Sequence, residues 1–249
     1  MLVERARLAW TEAAHNEYCT AIAFADLQRA LLEVRAPIDL IGMASDFVVD
    51  ESLHVELTSR IAMELGGGVP YVLDLDALSP PARNSESSPL MRANELIVRI
   101  CCVGETFSVP MLAGSMKSSE HPLTRAVLKQ IVSDEAPHGV IGWHYLEWAS
   151  EQLDGKERER LARVVEDTLK NMSHLWRRLR SKVKDGRTSE GFFLHDVHEL
   201  GWMESSNYAR TAINAIKEDV LAPLADFGIV PNKTKIDELC QSYYSTSEP

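Results

Sequence analysis

The sequence predicts an all-α fold, and three features carry that prediction. Apolar residues recur at intervals of three and four through most of the 249 residues, which is the period of a helix with one buried face. Alternation of apolar and polar residues, which is typical of a half-buried strand, is almost absent. Proline at 37 and glycines at 66–68, 155 and 186 lie between the periodic stretches, where they would end long helices. The content of 45% hydrophobic and 25% charged residues is ordinary for one globular core of this length.

These breaks divide the chain into six predicted helices. They run over residues 8–32, 38–65, 91–116, 122–152, 156–184 and 203–224. Pro37 ends the first helix, three consecutive glycines at 66–68 end the second, and Gly155 separates the fourth from a charged fifth. Residues 69–89 are rich in Pro, Ser and Asn and are predicted to be a crossover with a short extended patch at 71–73.

One pattern of ionisable residues occurs twice along these helices. A lone Glu on one helix is followed on the next helix by Asp-Glu-x-x-His. The copies are Glu17 with Asp50, Glu51 and His54, and Glu105 with Asp134, Glu135 and His138. The two glutamates are 34 residues apart in the first copy and 30 in the second, which suits an antiparallel hairpin with the ligands in mid-helix. The 51 residues from His54 to Glu105 predict one long crossover between the two hairpins.

The residue types and their spacing favour a metal site. Side chains three residues apart on a helix share one face, so each Glu-x-x-His presents a carboxylate and an imidazole together. Glu17 shares its face with Trp10 and Phe24, which places it in an apolar stripe. Carboxylates buried there would lose several kcal/mol of hydration unless they were paired. Two divalent ions would balance four ionised Glu, and six ligands would leave coordination positions open for water, oxygen or substrate.

Four short segments match the pattern of a known superfamily. They are residues 17–24, 49–54, 103–106 and 133–138, of which the first reads Glu-x-x-Thr-x-x-x-Phe. In these segments the chain resembles the ferritin-like di-iron carboxylate superfamily, and more closely its bacterial ferritin-like domain proteins of the di-iron oxidase or oxygenase type. The resemblance covers about residues 5–152. It implies a ferritin-like four-helix bundle with one long crossover over about 5–152. The length of the chain and its apolar period predict that additional C-terminal helices, over about 153–249, join this bundle in a single ferritin-like domain over 1–249.

The resemblance also implies a ligand set. The ligands would be Glu17, Glu51, His54, Glu105, Glu135 and His138. Asp50 and Asp134 would accept hydrogen bonds from the imidazole N–H groups and so fix the orientation of the rings. The expected cofactor is a pair of iron ions, with an Mn/Fe pair as an alternative and O2 as a co-substrate.

The function that the resemblance implies is that of a di-iron oxidoreductase, an oxidase or monooxygenase. It would oxidise a small organic substrate by hydroxylation, N-oxygenation or desaturation. The alternative is a peroxide-reducing or iron-handling protein of the rubrerythrin or ferritin type. A metal-stabilised interaction module without chemistry is a third interpretation.

Two sequence features of related families are missing from this chain, which limits the ligands and the electron carriers that we expect. The arylamine N-oxygenase branch has a third His where this chain has Ile131, so a seventh ligand is not expected. The Cys pairs of rubrerythrins are missing, so we expect an external electron donor, a ferredoxin or a reductase. The four cysteines, Cys19, Cys101, Cys102 and Cys240, have no CxxC spacing and are predicted to be reduced thiols.

Charge and hydropathy argue against other partners. A formal net charge of −11, from 26 basic and 37 acidic residues, disfavours a nucleic-acid partner. We find no run of about 18 uncharged apolar residues, so no membrane partner is expected. The N-terminal segment carries Glu4 and Arg5 and lacks an apolar core, so it does not resemble a secretory signal and a cytoplasmic location is predicted.

Three residues outside the ligand set have open interpretations. Pro110, five residues after Glu105, removes a helical N–H and is predicted to kink the third helix near the metals, either to admit substrate or as a tolerated irregularity. His195 and His198 have the spacing of ligands, but a surface pair is favoured over a third metal site.

The C-terminal hundred residues carry none of the ligands. Their apolar positions at helical spacing, among them Leu161, Val165, Leu169 and Trp176, predict helices that bury one face. We expect these helices to wall a substrate pocket, whereas the alternative is an oligomer interface such as that of a homodimer. Truncation after Gly155 is then expected to retain some iron, measured by metal analysis, and to abolish product formation. A soluble truncated chain with full activity would exclude the pocket role, and a change in solution mass alone would indicate the interface.

Overall fold

The computed structural model describes residues 1–70, 88–177, 184–188 and 191–241. Every regular element within these ranges is a helix, and extended backbone pairs there only in isolated bridges. The prediction of an all-α chain is therefore confirmed. The chain forms two compact units, Met1–Leu96 and Ile97–Pro249. The single ferritin-like domain stays a prediction.

The first unit is built on an antiparallel hairpin of two long helices. They are α1, Leu2–Glu33, and α2, Ile38–Glu64. In the half of the hairpin nearer the turn, the rings of Phe24 and Phe47 pack edge to face with centroids 5.2 Å apart. At the open end, Arg7 Nε donates a hydrogen bond to Gly67 O at 2.7 Å. Because the start of α1 contacts the chain just after α2, the two helices run in opposite directions as the spacing of the ligands predicts.

The second helix ends where the sequence predicts. Gly66 and Gly67 have φ angles of 108° and 101°, in the left-handed region that residues with a side chain rarely adopt. Val69, Pro70 and Ser88 are not helical, and Pro89 already begins the next helix. Most of the crossover predicted over 69–89 lies outside the described residues, so it stays a prediction. The extended patch predicted at 71–73 lies outside the described residues.

The third helix, α3, spans Pro89–Ser118 and has an irregular middle. Its central segment, Val98–Glu105, is π-helical and lies between two α-helical parts. By length and composition alone α3 could cross a membrane, but core helices pass the same test and just over half of its most apolar stretch is buried. That is weak evidence for a membrane span. The sequence did not indicate this stretch because Arg99, Glu105 and Lys117 interrupt it.

The remaining described helices belong to the second unit. They are α4 (Pro122–Ala149), α5 (Gly155–Met172), α6 (His174–Arg177), α7 (Leu194–Glu199), α8 (Ser205–Asn214), α9 (Ala222–Asp226) and α10 (Lys233–Gln241). A second π-helical turn, Ala215–Leu221, joins α8 to α9. A capping box starts α5: Asp154 Oδ1 accepts from the Glu157 N–H at 2.8 Å, and Glu157 Oε2 accepts from the Asp154 N–H at 2.9 Å.

The predicted helix boundaries agree best in the first half of the chain. Those of α2, α3 and α4 are correct to within three residues, and α1 begins six residues before its predicted start. The fifth predicted helix, 156–184, is too long, because α5 ends at Met172 and Ser173 separates it from α6. The two helices α7 and α10 were not predicted, since six and nine residues contain too few turns to give a periodic signal.

The C-terminal helices pack on α3 beside its π-helical segment. Helix α5 lies against Val98–Glu105, and α8 lies against the α-helical part that follows. The fully buried Trp176 packs on Phe107, with ring centroids 5.4 Å apart, and its Nε1 donates to Leu239 O at 3.4 Å. The predicted apolar face of α5 is buried at Leu161, Val165 and Leu169. The C-terminal extension therefore shares a hydrophobic core with α3.

Replacement of Trp176 by Ala is expected to lower the free energy of unfolding by about 3–5 kcal/mol, because a buried indole leaves a large cavity. Urea denaturation followed by far-UV circular dichroism measures the change. The control is Trp143→Ala, which truncates a half-buried indole on α4 and should cost clearly less. Equal losses in the two variants would contradict the packing of Trp176 as a core residue.

Candidate metal centre

The α1–α2 hairpin brings together the first three predicted ligands. One oxygen of Glu17, one of Glu51 and one nitrogen of His54 lie within 4.8 Å of one another. His54 Nδ1 is 3.7 Å from an oxygen of Glu17 and 3.7 Å from an oxygen of Glu51. The side chains of Glu51 and His54 are fully buried, and that of Glu17 is 14% exposed. We call these three residues the first triad.

Helices α3 and α4 bring together the other three predicted ligands. Ligand atoms of Glu105, Glu135 and His138 also lie within 4.8 Å of one another. His138 Nδ1 is 3.2 Å from an oxygen of Glu135 and 3.9 Å from an oxygen of Glu105. The exposed fractions of the three side chains are 8% or less. These residues form the second triad, and it has the same composition as the first.

The π-helical segment of α3 ends at Glu105, the ligand that α3 contributes. The Thr106 hydroxyl donates to the carbonyl of Cys101 at 3.0 Å, five residues back, and so supports the wider turn. Single π-helical turns are frequent where a helix carries a functional residue. The sequence predicts a distortion at Pro110; the structure places a π-helical segment just before it, and the helix continues through the proline.

Helix α4 is also irregular near the second triad, and this irregularity was not predicted from the sequence. Pro137 stands between Glu135 and His138 inside α4 and cannot donate a helical hydrogen bond. The helix nevertheless continues for three further turns to Ala149. Both helices that form the second triad therefore depart from regular α-helical hydrogen bonding within a few residues of their ligands.

Both histidines turn the same ring nitrogen towards the carboxylates. The short distances to Glu oxygens are made by Nδ1 in His54 and in His138. A ring nitrogen can bind a metal only when it carries no proton, so the metal-binding tautomer of each ring has its proton on Nε2. That Nε2–H needs an acceptor elsewhere, which is the role predicted for Asp50 and Asp134.

The structure describes Asp134 but does not test that role. Asp134 is half-buried, and both of its carboxylate oxygens accept from Gln130 Nε2 at 2.9 Å. Asp50 is half-buried on α2. The hydrogen bonds from the imidazoles to these two aspartates stay a prediction.

The donor set of each triad consists of oxygen and nitrogen atoms. Carboxylates and imidazole together suit iron and manganese, whereas thiolates would favour softer ions. Cys101 and Cys102 lie near Glu105 in sequence, but both are fully buried free thiols. Burial raises the pKa of the Cys101 thiol well above its usual range, and the nearby Cys102 and Glu105 add to the effect. A protonated thiol is a poor metal ligand. Each triad could therefore hold a metal ion through its two carboxylates and one imidazole.

No model of a known protein family and no curated protein matches the chain. The resemblance to the ferritin-like superfamily therefore depends on the repeated ligand pattern and on the all-helical fold. The buried groups of Glu and His are compatible with that resemblance.

Three histidines outside the triads, His144, His195 and His198, belong to no metal-binding group among the described residues. His195 is 63% exposed and lies 2.8 Å from its neighbour Asp196. His198 Nδ1 is 3.4 Å from Glu120. His144 is exposed and lies 3.3 Å from Glu147. These contacts agree with the preferred interpretation of His195 and His198 as a surface pair.

Glu51→Gln and Glu135→Gln are expected to weaken divalent-metal binding by roughly ten-fold or more, because the amide keeps the shape of the side chain and removes its charge. Fe(II) bound under anaerobic conditions, measured after desalting, reports the loss. The matched control is Glu12→Gln, which changes an exposed Glu of α1 and should leave the iron content unchanged. Parental iron content in both triad variants would exclude these residues as ligands.

Asp134→Ala is expected to weaken metal binding by roughly ten- to a hundred-fold, the usual loss when a group that orients a ligand is removed. Gln130→Ala is the control, since it removes the observed partner of Asp134 and leaves the carboxylate in place. Competition with a metal chelator measures both affinities. Equal affinities for the parent and Asp134→Ala would show that this carboxylate does not support the histidine.

Proposed function

We propose that the protein is an oxygen-activating non-haem di-iron oxidase or oxygenase that acts on a small organic substrate. The single observation that carries the proposal is the presence of two largely buried triads of the same composition, Glu, Glu and His, in a chain whose described elements are all helical. In this proposal the six residues hold two iron ions, with Mn/Fe as the alternative pair.

The charge of the triads and the number of their ligands support two bound metal ions. The two carboxylates of each triad balance one divalent ion, so the two triads together balance two. Three protein ligands per ion leave coordination positions free, which a catalytic ion requires and a purely structural ion does not. When bound, ferrous ions supply electrons to O2 and bring its reduction close to the substrate.

The proposed architecture is the ferritin-like one. The α1–α2 hairpin and the antiparallel pair of α3 and α4 would be the two halves of a four-helix bundle. The 51 residues from His54 to Glu105 would include its long crossover. The observed hairpin of the first unit and the repeated position of the ligands in mid-helix support this arrangement.

The C-terminal helices favour an enzyme over an iron store. They cover α3 next to its ligand, with Trp176 packed on Phe107 two residues beyond Glu105. A cover of this kind excludes water from the ligand side chains and offers apolar surface to an organic substrate. Iron storage would need only the ligand-bearing helices and a route for ions.

The chain's own residues have three roles in the proposed reaction. The glutamates and histidines orient the ions. The buried apolar residues around α3 exclude bulk water and position the substrate.

Hydroxylation by O2 places one oxygen atom in the product and reduces the other to water, which takes two electrons and two protons from an external donor. A ferredoxin or a reductase would supply those electrons.

The test is anaerobic reconstitution of the full chain with Fe(II), followed by mixing with O2. We expect close to two Fe(II) per chain and rapid O2 consumption, both strongly reduced in Glu135→Gln and unchanged in the exposed control Glu12→Gln. Product formation from candidate substrates should then depend on an added electron donor. Trace iron in the parent would refute the proposal. Iron far above two per chain would indicate storage, and donor-dependent loss of hydrogen peroxide without substrate oxidation would indicate a peroxide-reducing protein.

A further inference from the structure

Helix α4 and the π-helical segment of α3 approach each other unusually closely near the second triad. The contact is made at Gly142, which is buried and has no side chain. A Cβ atom placed there would lie 2.7 Å from Cys102 Sγ, 3.0 Å from the Cys102 backbone N and 3.1 Å from Cys101 Cβ. All three distances are shorter than ordinary van der Waals contact, which begins near 3.4 Å. The neighbours of Gly142 therefore include backbone, which cannot move aside as the end of a side chain can.

This contact lies one helical turn from the ligands on both helices. Gly142 follows His138 by four residues, and Cys101 precedes Glu105 by four residues. The helices are antiparallel here, since the Thr106 hydroxyl lies 3.4 Å from the carbonyl of Gly139. The distance between α3 and α4 at Gly142 thus controls the separation of Glu105 from His138, whose ligand atoms are 3.9 Å apart.

The helix itself disfavours glycine at this position. Glycine is the poorest helix former after proline, and α4 already contains Pro137. Gly139 offers a comparison on the same helix: a Cβ there would meet only one methyl carbon, Val109 Cγ2, at 3.2 Å, and no backbone atom of the neighbouring helix. The requirement for the missing Cβ is therefore specific to Gly142.

We propose that Gly142 is a positioning residue for the second triad: its missing side chain lets α4 approach the π-helical segment closely enough for Glu105 to bind the same ion as Glu135 and His138. This inference rests on the proposed function only in that the second triad binds a metal. An added Cβ would push the helices apart by roughly 0.5 Å, which is the tolerance within which ligands must be held.

The experiment compares Gly142→Ala with Gly139→Ala in the full chain, using Co(II) as the probe. Co(II) titration gives the affinity, and its visible absorption spectrum reports the geometry of the ligands. For Gly142→Ala we expect at least one Co(II) site to bind roughly ten-fold more weakly or worse, with a changed spectrum and an undiminished helical signal. Gly139→Ala should bind Co(II) as the parent does.

Each outcome decides the inference. Parental affinity and spectrum in a folded Gly142→Ala would overturn it, as would equal losses in both variants. If Gly142→Ala does not fold, the double variant Cys102→Ala/Gly142→Ala removes the closest contact and is judged by the same criteria. A parent protein that binds no Co(II) would overturn this inference together with the metal centre. A parent that binds Co(II) but, loaded with Fe(II), does not react with O2 would refute the oxidase proposal alone, because the Gly142 test measures affinity.

Discussion

A carboxylate that leaves water for the space between helices loses several kcal/mol of hydration, and a nearby cation or a set of hydrogen-bond donors has to replace it. Five of the six residues in the two triads are buried, and the sixth, Glu17, is nearly so. Each triad brings two carboxylates together with a single imidazole. Two divalent ions would supply four positive charges to a chain of formal net charge −11. The folded state thus buries carboxylates whose loss of hydration a bound metal ion could compensate.

Both helices that supply the second triad are irregular near their ligands. Near the second triad, α3 adopts a π-helical segment and α4 contains Pro137 and Gly142 within six residues. Each of these features costs helix stability, and none is needed to bury an apolar face. At Gly142 the close approach of α4 to α3, which we propose positions the ligands, gives a reason for such a residue. The hairpin of the first triad achieves a similar grouping with two helices that contain no proline.

The C-terminal extension packs on α3, the helix that supplies Glu105 to the second triad. Helices α5 and α8 pack on α3, and Trp176 and Phe107 join the two parts next to Glu105. Loss of the extension would remove the packing partners of the helix that supplies this ligand. The role in substrate binding predicted for these residues is compatible with that packing. The structure adds that the extension supports the ligand-bearing helix itself.

Much of this protein could be predicted from its sequence because helices carry local signals. The period of apolar residues predicts α1 to α4, the glycines at 66–68 predict the end of α2, and the spacing of Glu-x-x-His predicts that His54 and His138 share a face with their glutamates. The grouping of Glu17 with Glu51 and His54 follows from the hairpin, whose length the spacing also indicates. The short helices α7 and α10 were missed because their signals span too few turns.

Other properties were decided by tertiary contacts. A local pattern does not indicate that α3 winds as a π-helix before Glu105 or that α5 packs on that segment. Nor does it indicate that Gly142 lies too close to Cys102 for a Cβ atom to fit. Each of these depends on the distance between segments far apart in the chain, which no local period encodes. The sequence by itself thus determined which residues could bind metal and on which helices they lie. The packing of the helices decided how closely the ligands of each triad approach, because that distance is set by the side chains, or the lack of one, between neighbouring helices.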